Sequence, residues 1–252
     1  MLIALFTILF TVLIGGTDTP FAIPDADKII KKTVVDKDRR NEALLVVKAY
    51  KQEWKDLGKL KKNQAKQLSK FVKSYNTDVE VFNEVFSNFR KQRNQFNGIL
   101  VDSRYKLQGI LTTEEWTELM EAAYASLEKN DKKFNKAEIK SELRSNKKLV
   151  KVGESIEAVF EEEDKKIATQ LLEEFEASIV NLLFENQNYR ENVLKTLESK
   201  KATKEELAAV VNKVEKLRTE TQDAFVNLYL GLTTISTEKE WPKLARQLNK
   251  FI

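Results

Sequence analysis

The sequence predicts an all-α protein of elongated helical hairpins, arranged as two tandem copies of a helix–helix–short helix unit. Three observations carry this. The 252 residues include only 7 glycines and 3 prolines, and Pro20, Pro24 and Pro242 all lie near the ends, so more than 200 residues run without a helix breaker. Apolar residues recur at spacings of three, four and seven, the signature of one buried helix face. A corner, I-L-T-T-E-E-W at Ile110–Trp116, returns as I-S-T-E-K-E-W at Ile235–Trp241, 125 residues later. Composition agrees: 42% of residues are hydrophobic, enough for a core, and 33% are charged, above the usual quarter or so.

Leu2 to Ile14 is almost purely apolar and is followed by Gly15 and Gly16. Its 13 residues fall short of the roughly 20 that a spanning helix needs and suit the apolar core of an export signal. No Lys or Arg precedes Lys28, so the usual basic leader is missing, and no cysteine follows to carry a lipid. Residues 1–24 are therefore expected to be a signal peptide, cleaved around Phe21-Ala22, or a membrane anchor, the remaining alternative for the apolar run being a buried core helix. Residues 25–37 read as a polar connector.

A first long helix is expected from about Asp38, with Val47, Tyr50, Trp54, Leu57, Gln64, Leu68 and Val72 on one face and Lys61 interrupting it. At roughly 1.5 Å per residue it would run to about 50 Å. It ends near Ser74–Asn76, and Thr77 with Glu80 forms a T-x-x-E start for a second helix. The apolar face of that helix is Phe82, Val85, Phe86, Phe89, Phe96, Leu100 and Leu107. The phenylalanines read as core, and Arg90, Lys91 and Arg93 as solvated. Thr112 and Glu115 make another capping box, with Leu111 placed as a hydrophobic staple against Trp116. A short helix follows through Leu119 and Tyr124.

Adding 125 to each position reproduces the pattern. Val47, Tyr50, Trp54 and Leu57 become Leu172, Phe175, Ile179 and Leu182; Leu68 and Val72 become Val193 and Leu197. Phe82, Val85, Phe86, Phe89 and Leu100 become Leu207, Val210, Val211, Val214 and Phe225. Arg93 becomes Arg218, and the corner becomes Thr237, Glu240 and Trp241. The units are thus expected at 36–126 and 161–252. Pro242 argues that the last helix starts later than its counterpart, since a proline past the first turn loses a backbone bond. Residues 127–160 read as a charged linker with a short helix near Lys136–Arg144.

The first long helix holds nine lysines between Lys48 and Lys73 against Glu53 and Asp56, whereas Glu173–Glu198 holds six glutamates against Arg190 and Lys195. Such faces are usually just solvated. The sharper reading is mutual attraction of the copies, or a bipolar surface that holds polypeptides. Net charge is +4, without the concentrated excess or interleaved aromatics of a nucleic-acid binder. The chain has no histidine and no cysteine, which excludes Ser-His-Asp and Cys-His catalysis, the usual zinc sites, haem ligation by His and iron–sulfur clusters. No cofactor or metal is expected.

The segment Arg104–Leu119, R-Y-K-L-Q-G-I-L-T-T-E-E-W-T-E-L, resembles the signature of LTXXQ-type periplasmic helical proteins, the Spy- and CpxP-like family. Leu111 and Thr112 match its apolar-Leu-Thr corner, but Glu115 stands where the family has Gln. In the second copy Ser236 replaces the Leu and Glu240 the Gln, and no further motif precedes the first helix near Thr33–Asp36. The resemblance covers about 15 residues per copy. It implies an exported, non-enzymatic protein whose hairpins pair into a cradle and bind unfolded chains or a sensor domain, here as a single-chain version of the dimer. The expected partners are other proteins, either clients or subunits of an envelope complex, in the periplasm or cell envelope, with coiled-coil-like helices and chaperone-like action. The alternative is an accessory subunit of a membrane complex, held by an uncleaved residue 1–24 segment.

Overall fold

The computed structural model describes residue 23, residues 25–122 and residues 147–252, excepting the side chains at 180, 183–195 and 197. The apolar run 2–14, the helix expected at 136–144, and the side chains of Val193 and Leu197 lie outside the described residues. Every regular element described is helical. These are α1 (Ala26–Thr33), α2 (Lys37–Lys73), α3 (Val79–Ile110), α4 (residues 113–122), α5 (residues 147–159), α6 (Glu162–Glu198), α7 (Lys204–Ile235) and α8 (Trp241–Leu248), then a 3₁₀ turn, Asn249–Phe251. Among the described residues no helix is long and apolar enough to cross a membrane.

The elements recur at the predicted interval. Helices α2 and α6 are both 37 residues long, α3 and α7 both 32, and each pair starts 125 residues apart. The buried face of α2 is Val47, Tyr50, Leu57, Gln64, Leu68 and Val72 as expected, extended by Ala43. Trp54 is half-buried and tilts against Phe96 at 6.5 Å between ring centroids. All seven apolar positions predicted on α3 are buried. Each phenylalanine among them contributes about 1.5–3 kcal/mol by leaving water.

Two corrections concern the segments read as connectors. The supposed connector 25–37 contains α1, which buries Ala26 and Ile30 between Ile23 and Val34. The last part of the supposed linker 127–160 is α5, with Leu149, Val152, Ile156 and Phe160 buried. Both quartets have spacings of three, four and four, and they correspond at an interval of 126 rather than 125. One residue is therefore missing between α5 and α6 relative to α1 and α2. Each apolar stripe has only four members among lysines, which is why it reads as polar when taken alone.

The start of α3 is a further correction. Its N-cap is Asp78, whose side chain accepts from the Glu80 N–H at 3.0 Å. Thr77 instead donates its hydroxyl to the Phe71 carbonyl at 2.9 Å, closing the turn after α2. The equivalent N-cap of α7 is Thr203, in a full capping box with Glu206.

Gly58 and Gly98 sit inside α2 and α3, and a methyl group added at either meets nothing within 4 Å. Gly58→Ala and Gly98→Ala are each expected to raise stability by about 0.5–1 kcal/mol, measured by urea unfolding, because alanine loses less backbone entropy on folding. No such gain is expected at Gly231. There α6 packs so close to α7 that a Cβ would lie 2.2 Å from Leu171 Cδ1.

Candidate functional site

The seven corner residues fall at the two ends of the α3 and α7 helices. In the first corner, Leu111 ends α3 and is buried, and Thr112 opens α4. The Glu115 N–H donates to Thr112 Oγ1 at 3.2 Å, and the Thr112 N–H donates to Glu115 Oε2 at 2.9 Å. That is the predicted reciprocal capping box. Arg39 from the start of α2 also donates to Glu115 Oε2, at 2.5 Å. This ties the corner to the beginning of its own hairpin.

The second corner uses the same spacing differently. The Thr237 N–H and hydroxyl both donate to Glu240 Oε2, at 2.8 and 2.7 Å, within a turn. Helix α8 then begins at Trp241, three positions later than α4 when aligned by the interval. Pro242 sits in its first turn, where the missing N–H has no intrahelical acceptor to lose. The later start agrees with the expectation from Pro242.

The Thr237 hydroxyl and N–H hold the Glu240 carboxyl below its ordinary value. A depressed carboxylate contributes stability above its unfolded pKa and loses it as pH falls through the folded one. Glu240→Gln keeps an acceptor in place and loses only the charge at a solvated site, so it is expected to cost no more than about 0.5 kcal/mol at pH 7. The difference from the parent should shrink towards zero below about pH 4. Urea unfolding at both pH values checks this.

The two tryptophans anchor the corners to the opposite half of the chain. Trp241 Nε1 donates to the Val72 carbonyl at 3.1 Å, at the end of α2. Trp116 Nε1 donates to the Glu198 carbonyl at 3.0 Å, at the end of α6. Within each half, the residue twelve positions before the tryptophan packs on its ring. Tyr229 stands edge-on to Trp241 at 5.1 Å, and at the equivalent place Arg104 stacks over Trp116 at 3.8 Å.

The turn between α2 and α3 is clamped further. Tyr229 donates its hydroxyl to the Ser74 carbonyl at 2.7 Å and accepts from the Thr77 N–H at 2.9 Å. Tyr75 donates to the Ser236 carbonyl at 2.6 Å. Asn76 completes the turn in the left-handed region at φ 56°. At the other end, Gln108 Nε2 donates to the Ser199 carbonyl at 3.0 Å.

Between the corners, α3 and α7 cross antiparallel. Lys204 pairs with Asp102 at 2.7 Å near one end, and Phe82 meets Tyr229 at 4.7 Å near the other. At the middle lie Arg93 and Arg218, which occupy equivalent positions in the two units. Arg93 was expected in solvent, yet it is 0% exposed. Its Nε donates to Glu215 Oε2 at 2.6 Å, and Arg218 Nη1 donates to Glu215 Oε1 at 3.1 Å. Asn97 and Glu215 lie in the same layer. Burial first, and the charge of Arg218 second, pull the Arg93 guanidinium down to about 10. It stays charged at neutral pH.

Glu215, Tyr229 and Gln108 join the site without standing out in the sequence. A signal for the cluster existed in the paired Arg93 and Arg218, one arginine from each copy inside matched apolar stripes. Chemically the cluster is a closed ion network with no cavity beside it among the clefts described. Among the described residues no group of Asp and Glu side chains is arranged to hold a metal ion. No known protein family, curated protein or solved structure matches the chain.

Proposed function

We propose that the chain is an exported, non-enzymatic helical protein of the cell envelope that binds other polypeptides along its outer surface, chaperone-like in action. The observation that supports this reading is the outer face of α2. Lys48, Lys55, Lys62, Lys66, Lys70 and Lys73 are all exposed along a helix of 37 residues, about 55 Å long. A long cationic ridge suits extended chains of acidic character better than any compact ligand, and it acts by charge rather than chemistry. The apolar run at residues 2–14 supports export. The likeness of Leu111–Glu115 to the LTXXQ corner points in the same direction.

The test is light scattering from two unfolding clients, one acidic and one basic, mixed with the purified chain. At equimolar ratio the chain should suppress aggregation of the acidic client, and about 0.5 M salt should remove the effect by screening. Reversing Lys55, Lys62, Lys66 and Lys70 to glutamate should do the same at low salt. No suppression of either client would reject the reading.

A further inference from the structure

Helices α5 and α8 enclose an open cleft of about 670 Å³, far from the ridge of α2 lysines in sequence and built from the second unit alone. Lys151 lines it from α5. Lys243, Arg246 and Lys250 line it from α8 and the turn that follows. Glu154 is the one carboxylate among the lining residues. None of Lys151, Lys243 and Arg246 forms an ion pair with a described residue. The floor is held in place. Gln247 is buried, Lys250 Nζ donates to its Oε1, and Lys148 Nζ donates to the Lys250 carbonyl.

Four cations around one cleft repel each other. Burial, then Lys151 and Arg246, depress the ordinary pKa of Lys250. Four cations set against one lining carboxylate, three of them without an ion pair among the described residues, are explained most simply by an anionic partner outside the chain.

The first unit supplies an internal comparison. Its equivalent short helix, α4, buries matching positions: Trp116 for Trp241, Leu119 for Leu244 and Met120 for Ala245. The exposed positions are opposite in sign. Glu114, Glu118 and Glu121 stand 125 residues before Lys239, Lys243 and Arg246, and all six are exposed. The packing of this helix therefore demands neither sign. The basic stripe is a property of the second unit's surface, not of the fold.

We propose that the α5–α8 cleft binds a ligand bearing a multiply charged phosphoanion, as a free diphosphate-type group or as an anionic lipid headgroup. The planar guanidinium of Arg246 can take two phosphate oxygens side by side, and the lysines act as point charges around it. The volume is ordinary for a small-ligand site. The proposal is independent of the polypeptide-binding reading, because the two use different helices and different variants.

The experiment titrates the full chain with inorganic pyrophosphate and, separately, with vesicles of anionic or of neutral phospholipid, at constant ionic strength. Saturable binding of pyrophosphate with a dissociation constant below about 1 mM assigns a free anion (a value corresponding to about 4 kcal/mol). Binding to anionic but not neutral vesicles assigns a headgroup. In either case the pair Lys243→Glu and Arg246→Glu should weaken binding at least tenfold, and so should Lys151→Glu from the other wall. Glu118→Lys with Glu121→Lys on the first unit should leave it unchanged. All these side chains are exposed, and circular dichroism should show each variant folded. Binding that survives the cleft variants, or absence of binding in all three titrations, overturns the proposal.

Discussion

Replacing Glu215 by leucine is expected to destabilise the protein by about 3–5 kcal/mol in guanidinium unfolding, the largest effect of any single charge substitution in the chain. Glu215 lies between Arg93 and Arg218, whose side chains are 0% and 8% exposed. With the carboxylate present, two buried cations share one anion and make directed hydrogen bonds to it. With leucine in its place, two guanidinium groups face each other without water or counter-charge. Neither can lose its proton at neutral pH, so the whole penalty stays in the folded state.

The complementary variant separates this account from a general intolerance of the site. Arg93→Met and Arg218→Met added to Glu215→Leu should restore stability to the parent level or above, because apolar replacements of a complete buried ion set are neutral or stabilising. A Glu215→Leu cost within about 1 kcal/mol of zero would mean that the arginines find other partners and would refute the argument.

This cluster also shows where the two halves differ by necessity. Equivalent residues meet at the middle of the α3–α7 crossing, so any residue placed there meets its own counterpart. Two arginines at that point would repel. The equivalent of Glu215 in the first unit is Arg90, which lies 4.0 Å from Asp223 instead. The halves neutralise one another only because they are not the same.

What could be read from sequence was what each helix encodes by itself. Val47 to Val72 and Phe82 to Leu107 carry their burial in their own periodicity, and the Thr112–Glu115 box closes over three residues. Helices α1 and α5 were lost because four apolar residues in a lysine-rich stretch do not outweigh the charge around them. They become visible only when Ile23, Ala26, Ile30 and Val34 are set against Leu149, Val152, Ile156 and Phe160. Residue type alone places Arg93 in solvent, although it lies four residues beyond Phe89, on the same buried stripe. The destination of Trp116 and Trp241 was beyond reach for a different reason. An indole N–H needs one carbonyl, and the turns after α2 and α6 offer nearly the same one. Only the antiparallel crossing of α3 and α7 decides between them.

Trp241→Ala is the test of that exchange of corners, with an expected cost of about 3–5 kcal/mol for emptying so large a buried site. Trp241 is 1% exposed and packs against Tyr229 at 5.1 Å and Tyr75 at 6.3 Å. Trp241→Phe keeps most of the packing and removes only the N–H that satisfies the Val72 carbonyl, so its cost should be nearer 1–3 kcal/mol. The place of the damage is more telling than its size. Amide exchange should quicken at residues 74–79, in the turn between α2 and α3 that Trp241 and Tyr229 clamp. The turn between α6 and α7, held by Trp116 and Gln108, should keep its protection. Trp116→Ala should give the reverse pattern and also strip the Arg104 guanidinium of its ring. If each tryptophan variant loosened the turn of its own half, the reciprocal docking would be wrong. If the pattern crosses as described, each half is locked by the other, and neither hairpin is a separable unit.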